Sequence, residues 1–309
     1  SNKTGIGPKL VAYISTQTHS SLEKAAKIIG IGSENLRLID VDEKFAMRTD
    51  LLKEQIQKDK AAGFTPFFIC AALGTTSSNA IDPIKEIGEI ARKENCWFHI
   101  DAAMSGTAML CPEFRHFQEG VELADSYCFN PHKWMFTGFD CSAYFVKNPA
   151  YLIKTFEILP EYLKTRTRGA VNDYRDWGVP LGRRFRALKL WSVIRMYGAE
   201  GLRDKVRGHV RIAKRLAELI MHENDFQILA PVTLNVVCFR YKPSGKSEEE
   251  LNGLNQTLNH RLNDEGKIYL THTTVNGVYT LRMVTGQTNV TPEHVERAWK
   301  LIVKTAREL

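Results

Sequence analysis

Short apolar runs alternate with longer amphipathic stretches along the first half of the chain. Leu10–Ser15 is apolar, and a helical pattern over 20–29 follows it. Residues 36–41 read as strand. Thr49 is placed to cap a helix over 50–60, where Leu51, Leu52 and Ile56 share one side. The continuous apolar run 66–73 suits a strand covered on both faces. Asp82-Pro83 reads as a helix start, with Asp as cap and Pro in the first turn of 83–94. Further strands are expected at 97–100, 124–129 and 141–146. Such alternation predicts an α/β fold, a largely parallel sheet flanked by helices, with ligands collecting beyond the strand carboxyl ends. The polar clusters 74–79, 101–105 and 130–133 all follow strands, so they can face one crevice.

From about Leu190 the pattern changes. A long helical stretch, 199–223, leads to strands near 226–229 and 235–241. A helix opening at Ser247 follows, then strands at 268–273 and Val278–Val284, and a last helix after Thr291-Pro292. This is a smaller α+β unit. The expected division is a large domain over 1–188 and a C-terminal small domain over 189–309. Gly30-Ile31-Gly32 is no dinucleotide turn, because it follows a helix rather than a strand.

Composition narrows the function classes. No apolar run in the 309 residues approaches the roughly 20 needed to cross a membrane, so no membrane partner is expected. The first seven residues hold no apolar core of a secretory signal. Cys70, Cys96, Cys111, Cys128, Cys141 and Cys238 lack CxxC spacing, and several sit in apolar runs. They read as small buried hydrophobes in a reducing compartment, and a cytoplasmic location is expected. The net charge of +7 invites a nucleic-acid reading. The excess concentrates in Lys164, Arg166, Arg168, Arg175, Arg183, Arg184, Arg186 and Lys189, without zinc-finger spacing or an RNA-binding aromatic signature. A solvated basic loop and helix start, serving an anion-rich site or a subunit interface, accounts for it better than nucleic acid.

The strongest chemical signal is Asn130-Pro131-His132-Lys133-Trp134, a polar turn between two strand-like runs. A lysine there reaches a pocket at the sheet end, and partial desolvation would make its amine a nucleophile able to form an imine. Upstream, His99-Ile100-Asp101-Ala102-Ala103 sets a carboxylate just past an apolar strand. An anion for a pyridine nitrogen and an amine for an aldehyde are what pyridoxal 5'-phosphate (PLP) requires. Gly74-Thr75-Thr76-Ser77-Ser78 offers backbone N–H and hydroxyl donors to a phosphate or carboxylate. His19, at a strand-to-helix junction, is a candidate to stack on the cofactor ring. Cys128, His132 and Cys141 lack zinc spacing and a fourth ligand, so no metal is expected.

These residues bring the chain into line with a family. It resembles the PLP-dependent group II decarboxylases, most closely the aromatic-L-amino-acid (DOPA, tyrosine or tryptophan) decarboxylases. The matching stretches include Thr18-His19-Ser20-Ser21, Leu73-Gly74-Thr75-Thr76, His99-Ile100-Asp101-Ala102-Ala103, Asn130-Pro131-His132-Lys133-Trp134, Phe139-Asp140-Cys141-Ser142-Ala143 and Pro180-Leu181-Gly182-Arg183-Arg184. The resemblance implies a PLP fold-type I (aspartate-aminotransferase-like) large domain and a homodimer. It also assigns roles. Lys133 holds the cofactor as an imine, Asp101 binds the pyridinium, and His19 and Ala103 take its two faces. Thr76 and Asn130 contact the cofactor or its phosphate, and His132 lies beside the lysine. Tyr162, in a lid over 157–177, returns the proton to Cα after carbon dioxide leaves. Relatives that are aldehyde synthases typically carry Phe at the Tyr162 position or Asn at the His19 position; the residues here are of the decarboxylase type. Gly182 is what aromatic decarboxylases carry, where histidine decarboxylases have serine. The implied reaction is aromatic L-amino acid to amine and carbon dioxide, with an aldehyde synthase or an inactive truncated scaffold as alternatives. The resemblance covers the C-terminal two thirds of such enzymes, leaving out an N-terminal helical segment and an Ala-Ser region that grips the phosphate.

Overall fold

The computed structural model describes residues 9–158 and 171–309. Its first layer is a six-stranded sheet. The strands are β1 (Leu10–Ser15), β2 (Leu36–Ile39), β3 (Thr65–Ala72), β4 (Trp97–Asp101), β5 (Ser126–Phe129) and β6 (Ala143–Val146), in the order β2-β1-β3-β4-β5-β6. All neighbours are parallel except β5 and β6, which pair antiparallel. Connections run through helices α1 (Ser21–Ile28), α2 (Thr49–Ala61), α3 (Ile84–Lys93) and the single turn α4 (Pro131–Trp134), and α5 (Ala150–Phe156) follows β6. Apolar spacing explains the packing. Ile84, Ile87, Ile90 and Ala91 form one buried face of α3, each isoleucine stabilising by about 1.5–3 kcal/mol. They join Ile69, Leu73, Phe98 and Ile100 from the sheet in one core.

Two expected caps are used otherwise. Thr49 is the first residue of α2, not its cap; Arg48 holds the cap position without a side-chain bond. Helix α3 begins at Ile84, and Asp82 does not cap it. Its buried carboxylate accepts the backbone N–H groups of Met47 (2.8 Å) and Ala72 (2.7 Å). Tertiary donors that burial leaves without water outcompete a local cap. The same burial lifts the Asp82 carboxyl to about 6.

The second layer holds an antiparallel sheet of β7 (Phe226–Ile228), β8 (Val236–Tyr241), β9 (Thr271–Val275) and β10 (Val278–Val284), ordered β7-β8-β10-β9. Helices α7 (Glu248–Asp264) and α8 (Pro292–Arg307) flank it. Both open with reciprocal capping boxes, Ser247 with Glu250 and Thr291 with His294. Helix α6 (Arg186–Met221) links the layers and is interrupted at Gly198, with φ 64° and ψ 179°. Its Val206 and Val210 pack into the first core, while Ile212, Leu216 and Ile220 pack into the second with Phe239, Leu258 and Trp299. Among the described residues no helix is long and apolar enough to cross a membrane.

Part of the basic segment is spent internally. Arg184 and Arg186 both meet Asp140, the latter at 2.9 Å, and Lys189 donates to the Gly138 carbonyl at 2.8 Å. These contacts tie the start of α6 to the turn that follows Lys133.

Candidate active site

Strands β3, β4 and β5 are neighbours, and their carboxyl ends open on one cleft of ≈ 420 Å³. Parallel register puts Ala72 beside Asp101 and Asp101 beside Cys128. Asp101 at the end of β4, Thr76, Ala103, Asn130 and Lys133 just beyond these strands, and His19 from the loop after β1 line the same cleft. Six of the eight residues singled out from the sequence thus line one cavity. Tyr162 lies outside the described residues. His132 points elsewhere: its Nδ1 sits against the Cys141 backbone, 3.0 Å from the nitrogen and 2.6 Å from the oxygen, with Phe139 edge-on at 5.0 Å.

Asp101 closes β4. Its Oδ1 accepts the Ala103 N–H at 3.0 Å and faces the Cys128 thiol at 3.6 Å, while Oδ2 has no hydrogen-bond partner among the described residues. Lys133 rides on α4, its N–H bonded to the Asn130 carbonyl at 2.8 Å. The next residue, Trp134, is 1% exposed. Successive side chains on a helical turn diverge by about 100°, so burying Trp134 aims Lys133 out into the cleft. Lys133 is exposed, contrary to the partial desolvation expected from the sequence.

The 74–78 loop also departs from expectation. Thr75 Oγ1 pairs with Ser78 Oγ (3.1 Å) and accepts the Ala80 N–H (3.1 Å). Ser77 Oγ pairs with Thr273, and its carbonyl accepts Arg282 Nε at 2.9 Å. Most of these hydroxyls shape the loop instead of serving a ligand; Thr76 is the exposed one. Gly74 makes the tight turn possible at φ +89°, where a Cβ would lie 2.0 Å from Ser105 Oγ.

In the loop after β1, the Ser21 N–H reaches His19 Nδ1 at 3.2 Å. A backbone N–H only donates, so Nδ1 is the acceptor nitrogen. Asn130 Oδ1 accepts the Ser142 hydroxyl at 2.6 Å, leaving the amide nitrogen as donor. Sequence reasoning missed His99, Cys128 and Ser142 as cleft residues. The signal was strand alternation: His99 and Asp101, like Cys128 and Asn130, are two apart and share a face. His99 is stacked between Phe68 (6.2 Å) and Tyr144 (6.1 Å), and its Nδ1 lies 2.8 Å from Ser126 Oγ. Burial pushes its imidazole below the usual histidine range.

The family model for the pyridoxal-dependent decarboxylase conserved domain matches residues 1–242. The chain belongs to this family. It is 44% identical over 298 residues to tryptophan decarboxylase 2 of Oryza sativa subsp. japonica, covering 95% of this chain and 60% of that relative. It is also 44% identical to a phenylacetaldehyde synthase of Arabidopsis thaliana, covering 97% of this chain and 62% of that enzyme. A solved structure of Oryza sativa TDC with PLP and tryptamine superposes with a TM-score of 0.94 at 39% identity, covering 97% of this chain and 63% of that one. The chain therefore spans about 60% of the length of these curated relatives.

The cofactor of this pyridoxal-dependent family is PLP, and the cleft fits it. A carboxylate oxygen without a partner among the described residues, an exposed primary amine and amide and hydroxyl donors meet there. That donor set suits a pyridinium, an aldehyde and a phosphate.

Proposed function

We propose that the chain serves a PLP-dependent carboxy-lyase that converts an aromatic L-amino acid, of the DOPA, tyrosine or tryptophan class, to its amine and carbon dioxide. The observation that carries this reading is the meeting of Asp101 and Lys133 in one cleft at adjoining strand ends. When bound, PLP supplies the electron sink that lets the Cα–carboxylate bond break. Lys133 supplies the amine for the aldehyde. Asp101, through the Oδ2 that has no partner among the described residues, would keep the ring nitrogen protonated; a neighbouring opposite charge favours the charged form by roughly 1–3 pKa units. His19 and Ala103 would hold the ring, and Thr76 and Asn130 would donate to the cofactor or its phosphate. His132 stays a positioning group for the turn carrying the lysine, consistent with its place on the Cys141 backbone. Tyr162 is assigned the proton return to Cα.

The relatives include both decarboxylases and aldehyde synthases, and Tyr162 and His19 favour the first. We also infer a cytoplasmic homodimer. Its support is the run of exposed apolar side chains at Leu181, Phe185, Leu188 and Trp191, an area that suits burial against a second subunit.

The test begins with added PLP and an absorbance spectrum, with Lys133→Ala as control. L-DOPA, L-tyrosine and L-tryptophan follow, with amine, aldehyde, ammonia and hydrogen peroxide measured. A Lys133-dependent band with amine release is expected. Aldehyde with peroxide would replace the reading by the synthase, and a folded protein without the band would leave an inactive scaffold.

A further inference from the structure

Asp101 has two lateral neighbours in the sheet, Ala72 on β3 and Cys128 on β5, and all three line the cleft. The alanine offers no donor. The thiol does, 3.6 Å from Oδ1, the oxygen that also accepts the Ala103 N–H. Two further bonds hold this geometry: the Ala102 N–H donates to the Cys128 carbonyl at 3.0 Å, and the Asn130 N–H to the Ala103 carbonyl at 2.8 Å. The end of β5 is thereby zipped to residues 101–103, and thiol and carboxylate cannot drift apart independently.

We propose that Cys128 is a positioning residue for Asp101: its S–H engages Oδ1 and so presents Oδ2 to the cofactor ring nitrogen. The inference rests on the PLP reading above. A thiol is a weak donor, but a charged acceptor strengthens the bond. Burial and the Asp101 charge push the thiol up to about 12, so it keeps its proton through the neutral range. The other five cysteines are buried, and none of them lines the cleft. This makes the Cys128 thiol a selective point for both substitution and labelling.

The experiment compares wild type with Cys128→Ser, Cys128→Val and Cys128→Ala by absorbance titration with PLP, alongside thermal midpoints. Serine keeps a donor in a smaller volume, whereas valine keeps the volume and loses the donor. A donor role predicts serine within about twofold of wild type, and valine and alanine weaker by about threefold to tenfold. Equal weakening by serine and alanine, with valine unaffected, would make Cys128 a space filler and overturn the role. A second readout needs no cofactor. Iodoacetamide should alkylate Cys128 several-fold faster in Asp101→Asn than in wild type, because the neighbouring negative charge disfavours the thiolate; an unchanged rate overturns the contact. If alkylation responds but wild type gives no Lys133-dependent band, the PLP reading fails and the positioning role with it. A band that ignores the donor at residue 128 sinks the positioning role alone.

Discussion

The indole N–H of Trp134 donates to Nδ1 of His209 at 3.0 Å, in the core directly behind Lys133. The His209 carbonyl in turn accepts the Thr285 hydroxyl at 2.9 Å. Gly286 lies against this pair: a Cβ there would touch the indole at 3.5 Å and crowd Asn235 Nδ2 at 3.2 Å. The turn that carries the lysine is thus pinned to α6 and to the residues just after β10. Indole can only donate, so this bond requires an unprotonated Nδ1.

Acid should loosen that pin. Burial first, and the Lys205 charge as well, hold the His209 imidazole below its ordinary value of 6.5, while a bond to the Gln287 backbone opposes them. A depressed folded-state value means the contribution is complete above about pH 6.5 and is lost as pH falls through the lower folded value. The expected outcome is a wild-type thermal midpoint that drops more steeply between pH 7 and 5 than that of His209→Gln. The loss corresponds to about 1–3 kcal/mol. Parallel curves for the two proteins would refute it.

Asp82 carries the opposite sign. Its carboxyl is raised from 3.8 to about 6 by burial. Its contribution is therefore greatest below pH 3.8 and declines as pH rises through about 6. Replacing it by alanine also strands the Met47 and Ala72 N–H groups, at about 1–3 kcal/mol each. Chemical denaturation of Asp82→Ala and wild type at pH 5 and 7.5 should show the larger penalty at pH 5. A larger penalty at pH 7.5 would contradict the assignment.

Removing the Asp101 carboxylate should cost cofactor binding before it costs the fold. Asp101→Ala is expected to weaken PLP binding by about 10–100-fold, the range of one charge-assisted hydrogen bond. The thermal midpoint of the cofactor-free protein should move little, because the side chain is only partly buried and half of its acceptor capacity is unused. Absorbance titration and calorimetry separate the two effects.

Gly74→Ala should damage both. The new Cβ would meet Ser105 Oγ at 2.0 Å and Asn79 Oδ1 at 2.5 Å, on a backbone at φ +89°. We expect a loss of more than about 2 kcal/mol in unfolding free energy and weaker PLP binding, since the loop presenting Thr76 must shift. A variant as stable as wild type would show that the loop relaxes freely.

Local periodicity made the strand–helix alternation readable, and the turns bearing Asp101 and Lys133 could be placed at strand ends from it. The helix starts at Ser247 and Thr291 were equally legible, because a capping box is a short-range device. What stayed hidden depended on distant partners. Asp82 looked like a cap until Met47, 35 residues away, claimed its carboxylate. Ser77 looked available to a ligand, yet Thr273 and Arg282 in the second layer occupy it. The antiparallel turn of β6 was likewise unreadable, because four residues pair either way with the same alternation.

Helix α6 serves both cores from its C-terminal part, with Val206 and Val210 on one side of the boundary and Leu216 and Ile220 on the other. A shared beam of this kind has no seam at which the layers can part, so neither can melt while the other survives. Heating should therefore produce a single calorimetric peak, and the amides of α6 between Val206 and Ile220 should exchange with solvent only when the whole chain opens.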